Sequence, residues 1–140
     1  NLVNQKYLEN TLTELKDLFK ENYQEQTIMH MVVVNYIVNG EKCYSFKNVL
    51  NGHNLCLEVN FISISNELVI TLDKVLEKYQ IKISQYMCGN YVINFFEKDN
   101  YEISKMAHKL KKGYNNNEVI LVPKNIQNKG FFEKFFQLFS

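Results

Sequence analysis

Residues 28–38 (IMHMVVVNYIV), followed at once by Asn39-Gly40, decide the fold of this chain. The run is β-branched and aromatic, which predicts a well-buried strand. Asn and Gly both tolerate the positive φ angles of a type I′ turn, so the pair predicts a tight hairpin. Residues 41–46 are then expected to return as the second strand.

Two further segments extend the predicted sheet. Residues 55–63 (LCLEVNFIS) alternate strictly between apolar and mixed positions, which is the pattern of a half-buried strand. Residues 81–96 are rich in Ile, Tyr, Val and Phe and predict another strand, in one or two pieces. Residues 118–122 predict a short strand or an extended arm.

Helical spacing accompanies this sheet in three places. Residues 5–21 place Leu8, Leu12, Leu15 and Phe19 on one face. After a cap at Ser65 or Asn66, a second helix has an apolar stripe formed by Leu68, Leu72, Val75, Leu76 and Tyr79. Residues 101–112 predict a third helix that turns Ile103, Met106, Ala107 and Leu110 inward and ends at Gly113. The class is therefore α+β, with a mixed or antiparallel sheet of three to five strands and two or three packing helices.

The composition of the chain narrows the classes of partner that it is expected to bind. The 140 residues are 46% hydrophobic and have a net charge of +1, which is far from the composition of disordered chains. All 16 basic residues are Lys, and Arg, the usual bidentate reader of phosphate and guanine, is absent. Nucleic acid is therefore not an expected partner.

The residues that perform most enzyme chemistry show no catalytic pattern. Cys43, Cys56 and Cys88 form no CxxC pair, the three histidines lack metal-ligand spacing, and no phosphate-binding Gly motif occurs. Cys88 is expected to be a small core residue and His30 a structural histidine within the strand. We therefore expect no enzyme activity, cofactor, metal or small-molecule substrate. A phosphate contact by Lys105, Lys109, Lys111, Lys112 and His108 is the weaker alternative to a solvated helix face.

Residues 131–140 (FFEKFFQLFS) predict an amphipathic helix after a polar linker over residues 123–130. On a helical wheel one broad face gathers Phe131, Phe132, Phe135, Phe136, Leu138 and Phe139, with Glu133, Lys134 and Gln137 opposite. So short a helix needs a surface to fold against. An anionic membrane surface fits the Phe-rich face, with Lys134 toward the headgroups. Packing on the chain's own core and docking in a partner's groove are the alternatives.

The order of these segments resembles the small strand–helix–strand–strand subdomain of the bacterial cell-division protein FtsA. Residues 8–19 resemble its leading helix, and residues 28–30 with 36–40 resemble its opening His, hydrophobic strand and Asp-Gly turn. Residues 50–62 resemble its Gly-centred loop and strand, and residues 68–85 its helix and closing strand. Asn39 stands where the family has Asp, a Val replaces the family's Pro near the first strand, and the Asp-Gly-Gly nucleotide loops are not matched.

This resemblance implies a division-ring component rather than an ATPase. Residues 1–96 would form the protein-contact subdomain, residues 97–122 a helix and short strand, and residues 131–140 a membrane anchor. The expected partners are a division-ring or other cytoplasmic protein and the anionic cytoplasmic face of the inner membrane. A soluble α+β binding domain, whose last helix packs on its own core, is the alternative function.

Overall fold

The computed structural model describes residues 4–44, 53–96 and 102–121. The expected α+β class is confirmed: a three-stranded antiparallel sheet and four helices occur within these ranges. The helices are α1 (Gln5–Asn22), α2 (Asn66–Glu77), α3 (Gly89–Phe95) and α4 (Ile103–Lys111), and the strands are β1 (Gln26–Val38), β2 (Glu41–Cys43) and β3 (Leu55–Ser65).

The sheet is built around β1, in the order β2-β1-β3. The predicted hairpin is confirmed, because Asn39 and Gly40 have φ angles of 51° and 87° and Val38 pairs with Glu41 across the turn. Both positive φ angles belong to the type I′ geometry, which matches the twist of the flanking strands. On its other side β1 pairs with β3 along its full length.

Two register shifts in β1 determine which face each side chain occupies. Between Ile28 and His30, and again between Val33 and Asn35, β1 has one residue more than β3. A bulge of this kind reverses the alternation of side chains beyond it. Because of the first bulge, His30 lies on the opposite face of the sheet from Ile28. Because of the second, Tyr36 lies on the same face as Val33.

The face containing Val33 and Tyr36 packs against α1. Its buried cluster consists of Leu8, Leu12, Met31, Val33, Tyr36, Val38 and Val119. At the far end of α1, the Phe19 ring stacks on the Phe61 ring of β3 with centroids 4.6 Å apart. The predicted helix over residues 5–21 thus closes one side of the sheet.

A second buried cluster forms where the sequence predicted a strand. Residues 81–88 have no regular structure, and residues 89–95 form α3, so the strand prediction for residues 81–96 was wrong. Val92 and Phe96 are buried and four residues apart, which is helical spacing, and they pack with Met106, Leu110 and Leu121. The β-forming residues were a weak guide because packing against α4 favours the helix.

The segment after α3 behaves largely as its sequence indicates. Gly113 has a φ of 84°, its N–H bonds the carbonyl of Leu110, and the N–H of Tyr114 bonds the carbonyl of Lys109. This is a Schellman ending for α4. One inward position was wrong, since Ile103 is half exposed. Beyond the turn, Glu118 forms an antiparallel bridge to Val32, so the predicted arm lies along β1 beside the end of β2.

Candidate functional site

Helix α2 begins as its sequence predicts. The Ser65 hydroxyl accepts a hydrogen bond from the N–H of Leu68 at 3.2 Å, and Glu67 lies in the first turn, where a negative charge suits the helix dipole. Since α2 follows β3 without a loop, its first turn is fixed at the end of the sheet.

The apolar stripe of α2 is largely uncovered. No residue of α2 is buried. Leu68 and Val75 are each 47% exposed, and Tyr79, one turn beyond, is 72% exposed. At 3.6 residues per turn these three side chains share one strip along the helix. We call Leu68, Val75 and Tyr79 the α2 strip.

The apolar stripe predicted for α2 is thus covered only in part. Only Val69, Leu72 and Leu76 are half-buried, and they lie to one side of the α2 strip. On that side, the Tyr86 hydroxyl donates to the Val69 carbonyl at 3.3 Å and the Asp73 carboxylate at 2.7 Å. Burial and the hydrogen bond to Asp73 raise the pKa of Tyr86 to about 12. Residues 81–88 thus cover part of the stripe and leave the rest open.

A buried polar cluster lies on the other face of β1. His30 is fully buried, and its Nε2 accepts a hydrogen bond from the backbone N–H of Cys88 at 2.8 Å. Its Nδ1 lies 3.4 Å from Oε1 of the buried Glu118, and its ring lies 4.3 Å from that of Tyr91, centroid to centroid. Asn115 Nδ2 donates to the Tyr91 hydroxyl at 2.7 Å.

The protonation of this cluster follows from its contacts. Because Nε2 of His30 accepts a hydrogen bond, it has no proton, and the single ring proton is on Nδ1 facing Glu118. Burial raises the pKa of Glu118 above its ordinary value, although His30 opposes the shift. Burial, with the nearby Glu118 carboxylate, also raises the pKa of the Tyr91 hydroxyl.

These contacts connect three parts of the chain. They join β1, the start of α3 and the bridge at Glu118. His30 contacts Cys88 through the peptide N–H. His30 is buried within the strand, as expected, but only its Nε2 is hydrogen-bonded, because Nδ1 has no hydrogen-bond partner among the described residues.

The sequence patterns did not single out Glu118, Tyr91 and Asn115 as members of this cluster. The position of Glu118 does indicate a buried polar contact. Glu118 begins the apolar run EVIL at residues 118–121, just as His30 interrupts an apolar strand. Ionisable residues inside apolar runs need a buried partner, so two of them in one chain favour a mutual contact.

The basic end of α4 is only partly a solvated face. Lys109 Nζ lies 5.7 Å from the centroid of the Phe96 ring and 5.6 Å from that of Tyr114, which are cation–π distances. Lys105 forms an exposed ion pair with Glu102 at 3.7 Å. The ring contacts assign Lys109 to local packing, whereas Lys105 remains largely exposed.

The predicted membrane-binding residues lie outside the described residues: Phe131, Phe132, Lys134, Phe135, Phe136, Leu138 and Phe139. The polar linker over residues 123–130 lies outside them as well. Within the described ranges, no group of His, Cys, Asp and Glu could hold a metal ion, and Cys43, Cys56 and Cys88 form no disulfide. None of the helices described is both long and apolar enough to cross a bilayer.

Comparisons of this chain with protein-family models, with curated proteins and with solved structures find no match.

Proposed function

We propose that this chain is a non-catalytic protein-interaction module that residues 131–140 tether to an anionic membrane surface, in the manner of a bacterial cell-division component. The alternative, a soluble binding domain whose last segment packs on its own core, predicts a different outcome in the experiments below.

The exposed α2 strip is the observation that supports the interaction half most directly. A helix with no buried residue and three large apolar side chains open to water has apolar area to bury against another surface. Burying such a side chain contributes roughly 1.5–3 kcal/mol. Apolar anchors of this kind commonly dominate helix-in-groove recognition.

The tethering half rests on the sequence of residues 131–140. Five of the ten phenylalanines in the chain fall in these ten residues, all on one face of the predicted helix. Lys124, Lys129 and Lys134 lie nearby, and each Lys close to an anionic bilayer adds about 1 kcal/mol of attraction. Together these terms are sufficient for reversible interfacial binding.

Vesicle co-sedimentation tests the tether. The wild-type chain is expected to sediment with vesicles that contain phosphatidylglycerol, and Phe135→Glu/Phe136→Glu is expected to remain in solution. Losing two Phe from the interface removes roughly 3–6 kcal/mol, which predicts a fall in affinity of about 100-fold or more.

Gln137→Glu/Ser140→Glu is the matched control. It adds the same two charges on or beside the polar face, so it should keep most of the binding. Equal loss in both variants would mean that charge, not the Phe face, decides the outcome. If Phe135→Glu/Phe136→Glu instead loses the cooperative unfolding of the wild-type chain, the segment belongs to the core and the tether is wrong.

The link to cell division rests on the family resemblance, and a localisation experiment tests it. A fluorescent fusion in a rod-shaped bacterium is expected to form a band at midcell, and the Phe135→Glu/Phe136→Glu fusion should be diffuse. A wild-type fusion spread evenly over the membrane would contradict the division role but not the tether.

A further inference from the structure

We infer that, away from a membrane, residues 131–140 of this chain dock their Phe face on the α2 strip, and that a lipid surface competes for the same side chains. Contact with the membrane would then uncover α2 for a protein partner. The lipid half of this exchange rests on the proposed function, whereas the docking half does not.

The α2 strip has the right length for this occupant. From Leu68 to Tyr79 the helical path rises about 16 Å, and a helix over the ten residues 131–140 would be about 15 Å long. Each surface is apolar along one side only, so packing them together buries both strips at once.

The segment that leads to residues 131–140 also begins close to α2. Ile120 and Asn66, the first residue of α2, line one cavity of about 390 Å³. The nine residues 122–130 can span up to about 30 Å, and α2 is only about 18 Å long. Residue 131 can therefore reach any point along the α2 strip.

The short linker over residues 122–130 favours docking within one molecule. Linkers of this size give effective concentrations in the millimolar range, so even a weak contact between the two strips is occupied. Since the same Phe rings cannot contact α2 and lipid together, the apparent vesicle affinity is reduced by the fraction of molecules in which the segment is free.

Amide NMR on the full chain in the absence of lipid tests the docking. Phe135→Glu/Phe136→Glu is expected to shift the signals of Leu68, Val75 and Tyr79, and Gln137→Glu/Ser140→Glu is expected to leave them in place. Shifts confined to the α1 cluster or to the α3–α4 cluster, or no shifts, would overturn the inference. So would shifts that disappear on dilution, because the occupant would then be a second copy.

Vesicle binding tests the competition with a matched pair on α2. Val75→Glu and Ile70→Glu replace β-branched residues that are 47% and 52% exposed, and Ile70 lies outside the α2 strip on the other side of the helix. Val75→Glu should weaken docking and raise vesicle affinity about threefold or more relative to Ile70→Glu. Equal affinities would contradict the competition.

The two proposals fail separately. If the wild-type chain shows the NMR contacts but does not bind vesicles, the tether is wrong and the docking stands. If it binds vesicles while Val75→Glu and Ile70→Glu behave alike and the NMR contacts are missing, the tether stands and the docking is wrong.

Discussion

Helices α1 and α2 begin alike and end in different environments. Both are amphipathic, and a polar side chain at the preceding residue caps each: Asn4 for α1 and Ser65 for α2. Yet Leu8 and Leu12 of α1 are 0% and 1% exposed, whereas α2 has no buried residue.

The difference comes from what each helix faces. Helix α1 lies on a sheet face that has large apolar side chains from both β1 and β3, so its stripe is covered along its length. Helix α2 continues from the end of β3, and its first residue, Asn66, forms hydrogen bonds with Gln24, Glu25 and Thr27. Beyond that first residue, the irregular residues 81–88 lie along one side of the helix. Two similar stripes therefore differ: one closes a core, and the described residues leave much of the other uncovered.

The largest expected effect is a difference in unfolding free energy between shortening a leucine of α1 and shortening a leucine of α2. Leu12→Ala leaves a cavity in the α1 cluster and is expected to cost about 2–5 kcal/mol of unfolding free energy. Leu68→Ala removes a half-exposed side chain and should cost about 0.5 kcal/mol or less. Urea unfolding of both variants provides the measurement. Equal costs would mean that Leu68 is packed as tightly as Leu12 of the α1 cluster.

The second prediction concerns the sheet face opposite α1, where the polar cluster around His30 lies. His30→Leu removes the acceptor of the Cys88 N–H and the group that faces Glu118. Leaving a buried polar group unpaired costs about 1–3 kcal/mol, so urea unfolding should show a loss in that range. Asn60→Leu, at an exposed position of the neighbouring strand β3, is the control. If both variants behave alike, the polar cluster adds no stability.

A smaller effect should be shared by the two helices. Asn4→Ala and Ser65→Ala each remove a side-chain cap, and each should cost about 1 kcal/mol. Thermal unfolding monitored by circular dichroism measures both. A near-zero cost for Ser65→Ala alone would indicate that α2 unfolds apart from the sheet, which would widen the contrast with α1.

The smallest expected effect is a change in how the free energy of unfolding depends on pH. Because burial raises the pKa of Glu118, the folded state holds that proton more tightly than the unfolded state does. The associated stability is fully present below the ordinary value of 4.5 and is lost as pH rises toward the folded value. Glu118→Gln should lack this loss, so its stability relative to wild type should improve between pH 4 and pH 7. A constant difference across that range would mean that Glu118 titrates normally.

Local patterns predicted the elements with strong, short-range signals. The Asn39-Gly40 hairpin, the alternating strand β3, the Ser65 cap and the Gly113 ending were all correct because each depends on a few neighbouring residues. The strand predicted over residues 81–96 failed, since Tyr, Val, Ile and Phe there are equally compatible with a helix once α4 offers a surface. The bulges of β1 left no signal in a run where nearly every residue is apolar.

By itself the sequence determined the α+β class, the central strand with its turn, and the apolar stripes of the helices. Only the tertiary structure decided which stripe is covered and which face His30 occupies. Periodicity specifies that a side of an element is apolar, but burial depends on distant residues arriving at that side. Here the β1 bulges turn His30 toward Glu118, and α2, which follows β3 directly, has its strip uncovered by the described residues.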